Sequence, residues 1–168
     1  MTRSRIALPI LFATLTLVTV GPLRAQSAAS DSTAVVAVVQ RLFDAMAKSD
    51  TAMAHALLMP GTRFVSLLSD TSTSMPRAQS DTSFLRSLVA RPQRLLERMW
   101  SPIVHVQGPI ATLWAPYDFH VNGQFSHCGI DTATLVRGAS GWQIASLVYT
   151  VQRRGCAPSP LGVPRSGS

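Results

Sequence analysis

The sequence predicts an α+β domain in which the helices gather on one face of an antiparallel sheet. Apolar residues recur at helical spacing near the N-terminus, at Val35, Val39, Leu42 and Met46. From Leu95 onward, apolar and β-branched runs alternate with Gly, Pro and Asn turn signals, which is typical of a strand meander. Helices followed by a block of strands predict layers that are segregated along the chain.

Three helices are predicted, each with a boundary signal of its own. The first covers the apolar stripe of residues 33–48, and Asp50 can cap a short second helix after it. Pro60-Gly61 ends that second helix. Ser80 or Asp81 can cap the third.

The strand-forming part of the chain is punctuated by turns. Expected strands cover residues 62–68, 95–107, 110–121, 124–137 and 142–152. Residues 69–80 are polar and predict a loop or an irregular edge hairpin. Asn122-Gly123 is the strongest short hairpin signal in the chain and sets the pairing of the strands beside it.

Residues 1–25 have the pattern of a secretory signal peptide. Arg3 and Arg5 precede an apolar stretch from Ile6 to Val20, and Ala25 offers a small residue at the cleavage point. The stretch is shorter than the roughly 20 residues of a membrane span, although an uncleaved anchor remains the alternative. We therefore expect a secreted or periplasmic protein that leaves the membrane after cleavage, with a flexible leader over residues 26–32.

Charge and motif content exclude several partners. Loss of residues 1–25 lowers the basic count from 15 to 12 while 8 acidic residues remain, so the net charge falls from +7 to +4. The arginines are scattered without interleaved aromatic residues, so no nucleic-acid partner is expected. No cofactor motif is present and no metal is expected, because the two cysteines lack CxxC spacing.

Three segments resemble the nuclear transport factor 2-like superfamily, in its SnoaL-like and lumazine-binding branch: FDAMAKSDTAMAHALLMPGTRFVSL, IATLWAPYDFHVNGQFSHCGIDTATLVR and GWQIASLVYT. The resemblance covers about residues 33–152, and the domain is expected over residues 33–156, followed by a disordered tail at 157–168. It implies a cone, in which a strongly curved sheet wraps around the helices and a pocket opens between them. Isomerases, hydrolases, ligand binders and dimerisation modules share this fold, so the resemblance implies no single activity.

The segment YDFHVNGQFSHCGID, residues 117–131, concentrates the reactive side chains. A two-residue turn with strict alternation places Asp118 opposite His127. One face then carries Asp118, His120, Phe125 and His127. The opposite face carries Tyr117, Phe119, Val121, Ser126 and Cys128.

The last hairpin decides which of these faces is expected to line the cone. Pairing Arg137 with Trp142, without a bulge, puts the phase of Trp142 and Ile144 toward the helices. The expected ligand-binding wall is Trp114, Asp118, His127, Asp131, Ser146 and Val148. The other phase, with Leu147, Tyr149 and Val151, is expected to form an outer face through which a homodimer could assemble.

Asp118 and His127 are the candidate catalytic residues, and four interpretations stay open. They could be a general base with its orienting partner, or polar groups that hold a ligand. With His120 they could supply three ligands to a divalent metal. They could also be a cross-strand polar pair without function. The expected function is binding of a small, partly apolar ligand in the cone, or dimerisation; the alternative is an isomerase or hydrolase that uses Asp118 and His127.

Cys128 and Cys156 are an even pair in a predicted oxidising compartment, which favours a disulfide. Extending the last hairpin puts Cys128 opposite Val151, so the chain must fold back at Gly155 to bring the sulfurs together. The alternative is two independent thiols.

Overall fold

The structure, a computed structural model, describes residues 22–70, 75–90 and 92–164. Most of the predicted signal peptide, residues 1–21, lies outside the described residues. The helices are α1 (Pro22–Lys48), α2 (Thr51–Leu57) and α3 (Asp81–Val89). The strands are β1 (Leu58–Leu68), β2 (Arg77–Ser80), β3 (Leu95–Met99), β4 (Ile103–Gln107), β5 (Ile110–Val121), β6 (Gln124–Gly138) and β7 (Gly141–Val151).

The described strands form one large, curved and unclosed sheet against which the three described helices pack. Its order is β2-β1-β7-β6-β5-β3, and β4 pairs with the other half of β5. Only the β1–β7 pair is parallel among the described strands. The predicted α+β fold is therefore confirmed.

The caps predicted for α2 and α3 are present. The Asp50 carboxylate accepts a hydrogen bond from the Met53 N–H at 2.9 Å, and the Ser80 hydroxyl accepts one from the Ser83 N–H at 3.2 Å. The start of α1 differs from prediction, because residues 26–32 are helical and not a flexible leader. Pro22 suits the first position of a helix, and neither Gly nor Pro follows it before the end of α1. Among the described helices, none has the length and apolar content to cross a membrane.

The apolar stripe of α1 anchors the core, as its spacing predicts. Val35, Val39 and Leu42 have no exposed surface. They belong to one buried cluster with Leu113 of β5 and Ile144 of β7. Each such side chain contributes about 1.5–3 kcal/mol by leaving water, so α1 is held on the sheet chiefly by this stripe.

A β-bulge at Ser126 changes the register of the β5–β6 hairpin. Phe119 pairs with His127, and Asp118 pairs with Cys128. The prediction that Asp118 lies opposite His127 is therefore wrong, and so is the grouping of faces that followed from it. An extra residue in one strand of an antiparallel pair shifts the alternation of every later residue, which moves His127 to the inner face and Cys128 to the outer face.

A second bulge lies at Ala145 in β7. Leu135 pairs with Ile144, whereas Thr134 pairs with Ser146. The inward phase of β7 after this bulge consists of Leu147, Tyr149 and Val151, which line the interior. These residues therefore do not form the outer face that was predicted as a dimer surface.

The disulfide between Cys128 and Cys156 is present, as predicted. Gly155 has a φ of +69°, which lets the chain fold back and brings the two Cα atoms to 6.1 Å. Residues 157–164 then lie against the outer sheet face, where Arg98 Nη2 donates to the Gly162 carbonyl at 2.9 Å. This part of the tail is thus packed and not disordered as predicted; residues 165–168 lie outside the described residues.

Candidate functional site

A cavity of about 320 Å³ opens between the helices and the inner face of the sheet. Its volume falls at the lower end of the range in which small molecules bind. Its apolar lining includes Phe64, Phe84, Leu88, Leu95, Phe119, Leu147 and Val151. Side chains along β5, β6 and β7 alternate between the two faces of the sheet. After the two bulges, the inward-facing side chains of all three strands point into the same cavity.

Two carboxyl groups lie at the deep end of this cavity, from strands that are not neighbours. Glu97 of β3 pairs with Phe119, and Asp131 of β6 pairs with Ala115, so β5 runs between them. Tyr117 occupies the inward position of β5 between those two pairing points. Asp131 has no exposed surface and Glu97 retains 9%. Strand register, rather than closeness in the sequence, brings Glu97 and Asp131 together.

Burial changes the protonation of this pair. It raises the pKa of Asp131 to about 7. The pKa of Glu97 lies well above its usual range, first because of burial and then because of the neighbouring charge of Asp131. Neither Asp131 oxygen makes a close hydrogen bond, but the Glu97 carboxyl is near enough to share a proton with Asp131, which raises the pKa of Glu97 and partly offsets the rise in the pKa of Asp131. The pair therefore retains a proton near neutral pH, and Asp131 has acceptor positions that the Glu97 carboxyl does not use.

The Tyr117 hydroxyl is held by the backbone and does not donate to the carboxyl pair. Its hydroxyl donates to the Thr150 carbonyl at 2.7 Å. Burial, together with the charges of Glu97 and Asp131, raises its pKa, so it stays neutral.

His127 and Ser126 also line the cavity. The His127 ring stacks on Phe119 with centroids 4.8 Å apart, and the Ser126 hydroxyl lies 3.0 Å from its Nδ1 atom. Burial and the nearby Arg153 charge lower the pKa of His127 to about 4, so the ring is neutral at neutral pH. Arg153 lines the cavity with its side chain exposed.

The predicted ligand-binding wall is divided between the two faces. His127 and Asp131 line the cavity. Trp114 and Val148 are 42% and 39% exposed, and neither they nor Ser146 lines it. The bulges explain the difference, because the prediction required unbroken alternation from the turns inward.

Asp118 lies on the outer face in an ion pair of its own. Arg98 donates to both carboxylate oxygens, from Nε at 2.8 Å and from Nη2 at 2.5 Å, and His120 Nε2 lies 3.3 Å from Oδ1. Burial opposes ionisation of Asp118, but hydrogen bonds from Arg98 and Ser159 and the Arg98 charge hold its pKa below the usual range. The predicted acid–base pair of Asp118 and His127 is therefore wrong, because the two side chains occupy opposite faces.

The predicted metal alternative fails on the same geometry. Asp118 and His120 share the outer face, while His127 lies inside. In the part of the chain that the structure describes, no three His, Cys, Asp or Glu side chains are placed to hold a metal ion.

Neither a family model nor a curated protein matches the chain. Solved structures do match it. A proposed dehydratase of the NTF2-like family from Streptomyces avermitilis is 17% identical, with 73% of this chain and 96% of that chain covered and a TM-score of 0.59. An NTF2-like superfamily protein from Salmonella enterica is 16% identical, with 82% and 98% covered and a TM-score of 0.58. The chain has the nuclear transport factor 2-like fold. An NTF2-like protein of unknown function from Silicibacter pomeroyi, 20% identical over 73% and 97% at a TM-score of 0.56, agrees.

Glu97 is the residue of this nuclear transport factor 2-like cone that sequence reasoning missed. Leu95, Glu97 and Met99 alternate along β3, and Leu95 is buried. A carboxylate on the apolar phase of a strand is rare unless it is paired or functional, and that pattern could have marked it. The assignment to the SnoaL-like branch stays a prediction, since sequence identities at this level establish the fold alone.

Proposed function

We propose that this protein is secreted and binds a small, partly apolar molecule in the cone cavity. The observation that carries the proposal is a cavity of about 320 Å³ with aromatic and aliphatic walls, whose deep end holds a buried carboxylate that makes no close hydrogen bond. Buried polar groups are normally satisfied, so an acceptor that faces a cavity is suited to bind a polar group of a ligand. Apolar walls supply affinity, and the carboxyl pair supplies orientation.

Secretion is supported by the disulfide and by the signal-like N-terminus. Stable disulfides are a feature of oxidising compartments. Expression of the full chain in a bacterial host with an intact export pathway is expected to give a protein that begins at Gln26. Mass analysis of periplasmic and medium fractions measures this directly, and a chain that keeps residues 1–25 contradicts it.

Ligand binding is tested with a small neutral probe and two matched variants. We expect 2-phenylethanol to shift the methyl NMR signals of Leu147 and Leu88, which line the cavity. Val151→Trp should abolish these shifts because it fills the cavity. Val148→Trp should keep them, because Val148 is on the same strand with its side chain 39% exposed on the outer face. Shifts that persist in Val151→Trp, or that never occur, would refute the proposal.

Acid–base catalysis is a second candidate function, favoured by the protonation state of the carboxyl pair. A carboxylate with a pKa of about 7 is suited to abstract a proton at neutral pH, and Asp131 lines a cavity that a small molecule can enter. The isomerase or hydrolase alternative then rests on Asp131 and Glu97, and not on Asp118 and His127.

Proton abstraction is measured by exchange of deuterium from D2O into the α-carbon of phenylpropan-2-one. We expect exchange above the buffer rate, with a rise as pH passes about 7 because Asp131 becomes ionised. Asp131→Asn should reduce the rate to that of buffer. A rate that Asp131→Asn leaves unchanged excludes this candidate and leaves ligand binding intact.

Homodimerisation through the outer sheet face remains a proposal, now carried by different residues. Trp114 and Ile103 are cross-strand partners that are 42% and 52% exposed, and Thr132 links Trp114 to Val148. Exposed apolar side chains on three of four neighbouring strands are the kind of surface that associates. Light scattering should report a dimer that Trp114→Arg dissociates; a monomeric wild-type chain at high concentration would refute it.

A further inference from the structure

The deep end of the cone cavity has negative charge without a positive partner. Neither oxygen of Asp131 makes a close hydrogen bond, and the group that interacts with it is a second acid, Glu97, which brings no positive charge. We infer that the cavity takes a molecule with a protonated amine on an apolar body, with the ammonium group against Asp131 and Glu97. This inference rests on the proposed ligand-binding function and names the class of its ligand.

The titratable and charged groups around the cavity do not supply the missing positive charge. They are Glu97 of β3, Tyr117 of β5, His127 of β6, Tyr149 of β7 and Arg153 after β7. The lining from α1, α3, β1 and β2 is uncharged. His127 is neutral above about pH 4, and Arg153 is exposed. Among the described residues, only burial and Glu97 influence the pKa of Asp131 appreciably, so no side-chain cation compensates its charge.

An ammonium group satisfies this site better than the other common polar groups. A buried carboxylate without a partner is costly, and an opposite charge removes most of that cost. An ammonium supplies three N–H donors, enough for the two Asp131 oxygens and one Glu97 oxygen, in charge-assisted hydrogen bonds. A hydroxyl supplies one donor and no charge. A ligand carboxylate would place a third acid beside two that already share a proton.

The walls above the carboxyl pair define the rest of the ligand. Phe64 and Phe84 stack with centroids 4.1 Å apart on one side, and Phe119 stacks on neutral His127 on the other. Leu147 is buried between the sheet and the helices. An aromatic or short aliphatic body fits such walls through apolar contact.

Amine binding should strengthen as pH rises from 5 to 8. Asp131, with a pKa of about 7, is mostly protonated at pH 5 and mostly ionised at pH 8. An alkylamine stays protonated to about pH 10. The attracting charge therefore appears within this window while the ligand charge is constant, whereas a neutral ligand has no such reason to change.

Three probes with the same aromatic body separate the possibilities: 2-phenylethylamine, 2-phenylethanol and phenylacetate. Each is titrated into the whole chain with its disulfide intact, and binding is followed by the Leu147 and Leu88 methyl NMR signals at pH 5 and pH 8. At pH 8 we expect the amine to bind roughly tenfold more tightly than the alcohol, as one charge-assisted contact predicts, with phenylacetate weakest. Asp131→Asn should remove the tenfold advantage and its pH dependence, so that this variant binds the amine no more tightly than it binds the alcohol. Glu97→Gln should reduce the advantage without removing it.

The results distinguish failure of the amine inference from failure of the ligand-binding proposal. If the alcohol or phenylacetate binds as tightly as the amine at pH 8, the inference is overturned and ligand binding stands. The same holds if Asp131→Asn leaves the amine advantage intact. If no probe shifts the cavity signals, both proposals fall. Amine binding that Val151→Trp does not block is binding elsewhere on the chain, and it also overturns the inference.

Discussion

Asp131 and His127 share the inner face of β6, and burial shifts their proton affinities in opposite directions. The pKa of Asp131 rises to about 7, so the folded state holds a proton that the unfolded state releases above about pH 4. The pKa of His127 falls to about 4, so the folded state excludes a proton that the unfolded state binds below about pH 6.5. Between pH 4 and 6.5 the two pKa shifts change the free energy of unfolding in opposite directions. Substitution of one residue should therefore reveal the pH dependence that the other produces.

Asp131→Asn removes the contribution of Asp131 and leaves that of the histidine. A carboxyl whose pKa is raised on folding gives stability at low pH that is lost as pH rises to about 7. The substitution removes that loss, so the variant should gain on the order of 2–4 kcal/mol relative to wild type between pH 4 and pH 8. Urea unfolding at several pH values measures this. If the difference in unfolding free energy between the variant and wild type does not change with pH, the assigned protonation of Asp131 is wrong.

His127→Gln should produce the opposite trend. A histidine whose pKa is lowered on folding gives stability that is fully present above about pH 6.5 and is lost as pH falls to about 4. Without it, the free energy of unfolding should fall as pH rises from 4 to 6.5, since the carboxyl pair then acts alone. The double variant with Asp131→Asn is the control and should be flatter than either single variant. A His127→Gln profile that rises with pH would show that the ring is not buried neutral.

The features that the sequence predicts correctly are local ones. Asn122-Gly123 and the Arg137–Trp142 pair fixed the ends of both hairpins correctly, and Gly155 allowed the disulfide. Apolar spacing fixed α1 because a helical stripe depends only on local order. Each of these features is decided within a few residues.

The faces of the sheet could not be predicted in the same way. One extra residue, Ser126, moved His127 inside and left Asp118 outside. Ala145 did the same for β7. Neither bulge contains a Gly or Pro that would mark it in the sequence. Packing against other strands decides between regular alternation and a bulge, and local sequence does not report that packing. The pairing of Glu97 with Asp131 depends on strand order, which also lies beyond local pattern.

Gly129→Ala should disturb the deep end of the cavity. A Cβ at Gly129 would overlap the Thr150 carbonyl oxygen and lie 2.8 Å from Cε1 of Tyr117, which holds its hydrogen bond to that same oxygen. Overpacking of this kind costs about 1–3 kcal/mol. Gly138→Ala on the same strand is the matched control, since no atom lies within 4 Å of its added Cβ. Thermal unfolding compares the two, and equal effects would contradict the close packing of Tyr117 on Gly129.

Asp118→Ala should be strongly destabilising, contrary to what an exposed position on an outer face suggests. Asp118 is 3% exposed, and its removal leaves the Arg98 guanidinium partly buried without its bidentate partner. Loss of one partner from a buried ion pair costs about 3–5 kcal/mol. Asp31→Ala is the control, because the Asp31–Arg137 pair is also bidentate but more exposed, and it should cost under about 1 kcal/mol. Similar losses in both variants would mean that the Arg98–Asp118 pair is not shielded.

The disulfide should determine how much the Arg98–Asp118 pair contributes, because it holds the covering tail in place. Cys128 is the cross-strand partner of Asp118, and Cys156 begins the segment whose Gly162 carbonyl accepts from Arg98. Replacing both cysteines with serine opens a loop of 28 residues and should cost about 3–4 kcal/mol on the chain-entropy account. The freed tail should also let water reach the ion pair, so Asp118→Ala should then cost only about 1 kcal/mol, as exposed pairs do. A double-mutant cycle by urea unfolding measures the coupling. Strict additivity of the two changes would show that the ion pair is buried by the sheet alone and not by the tethered tail.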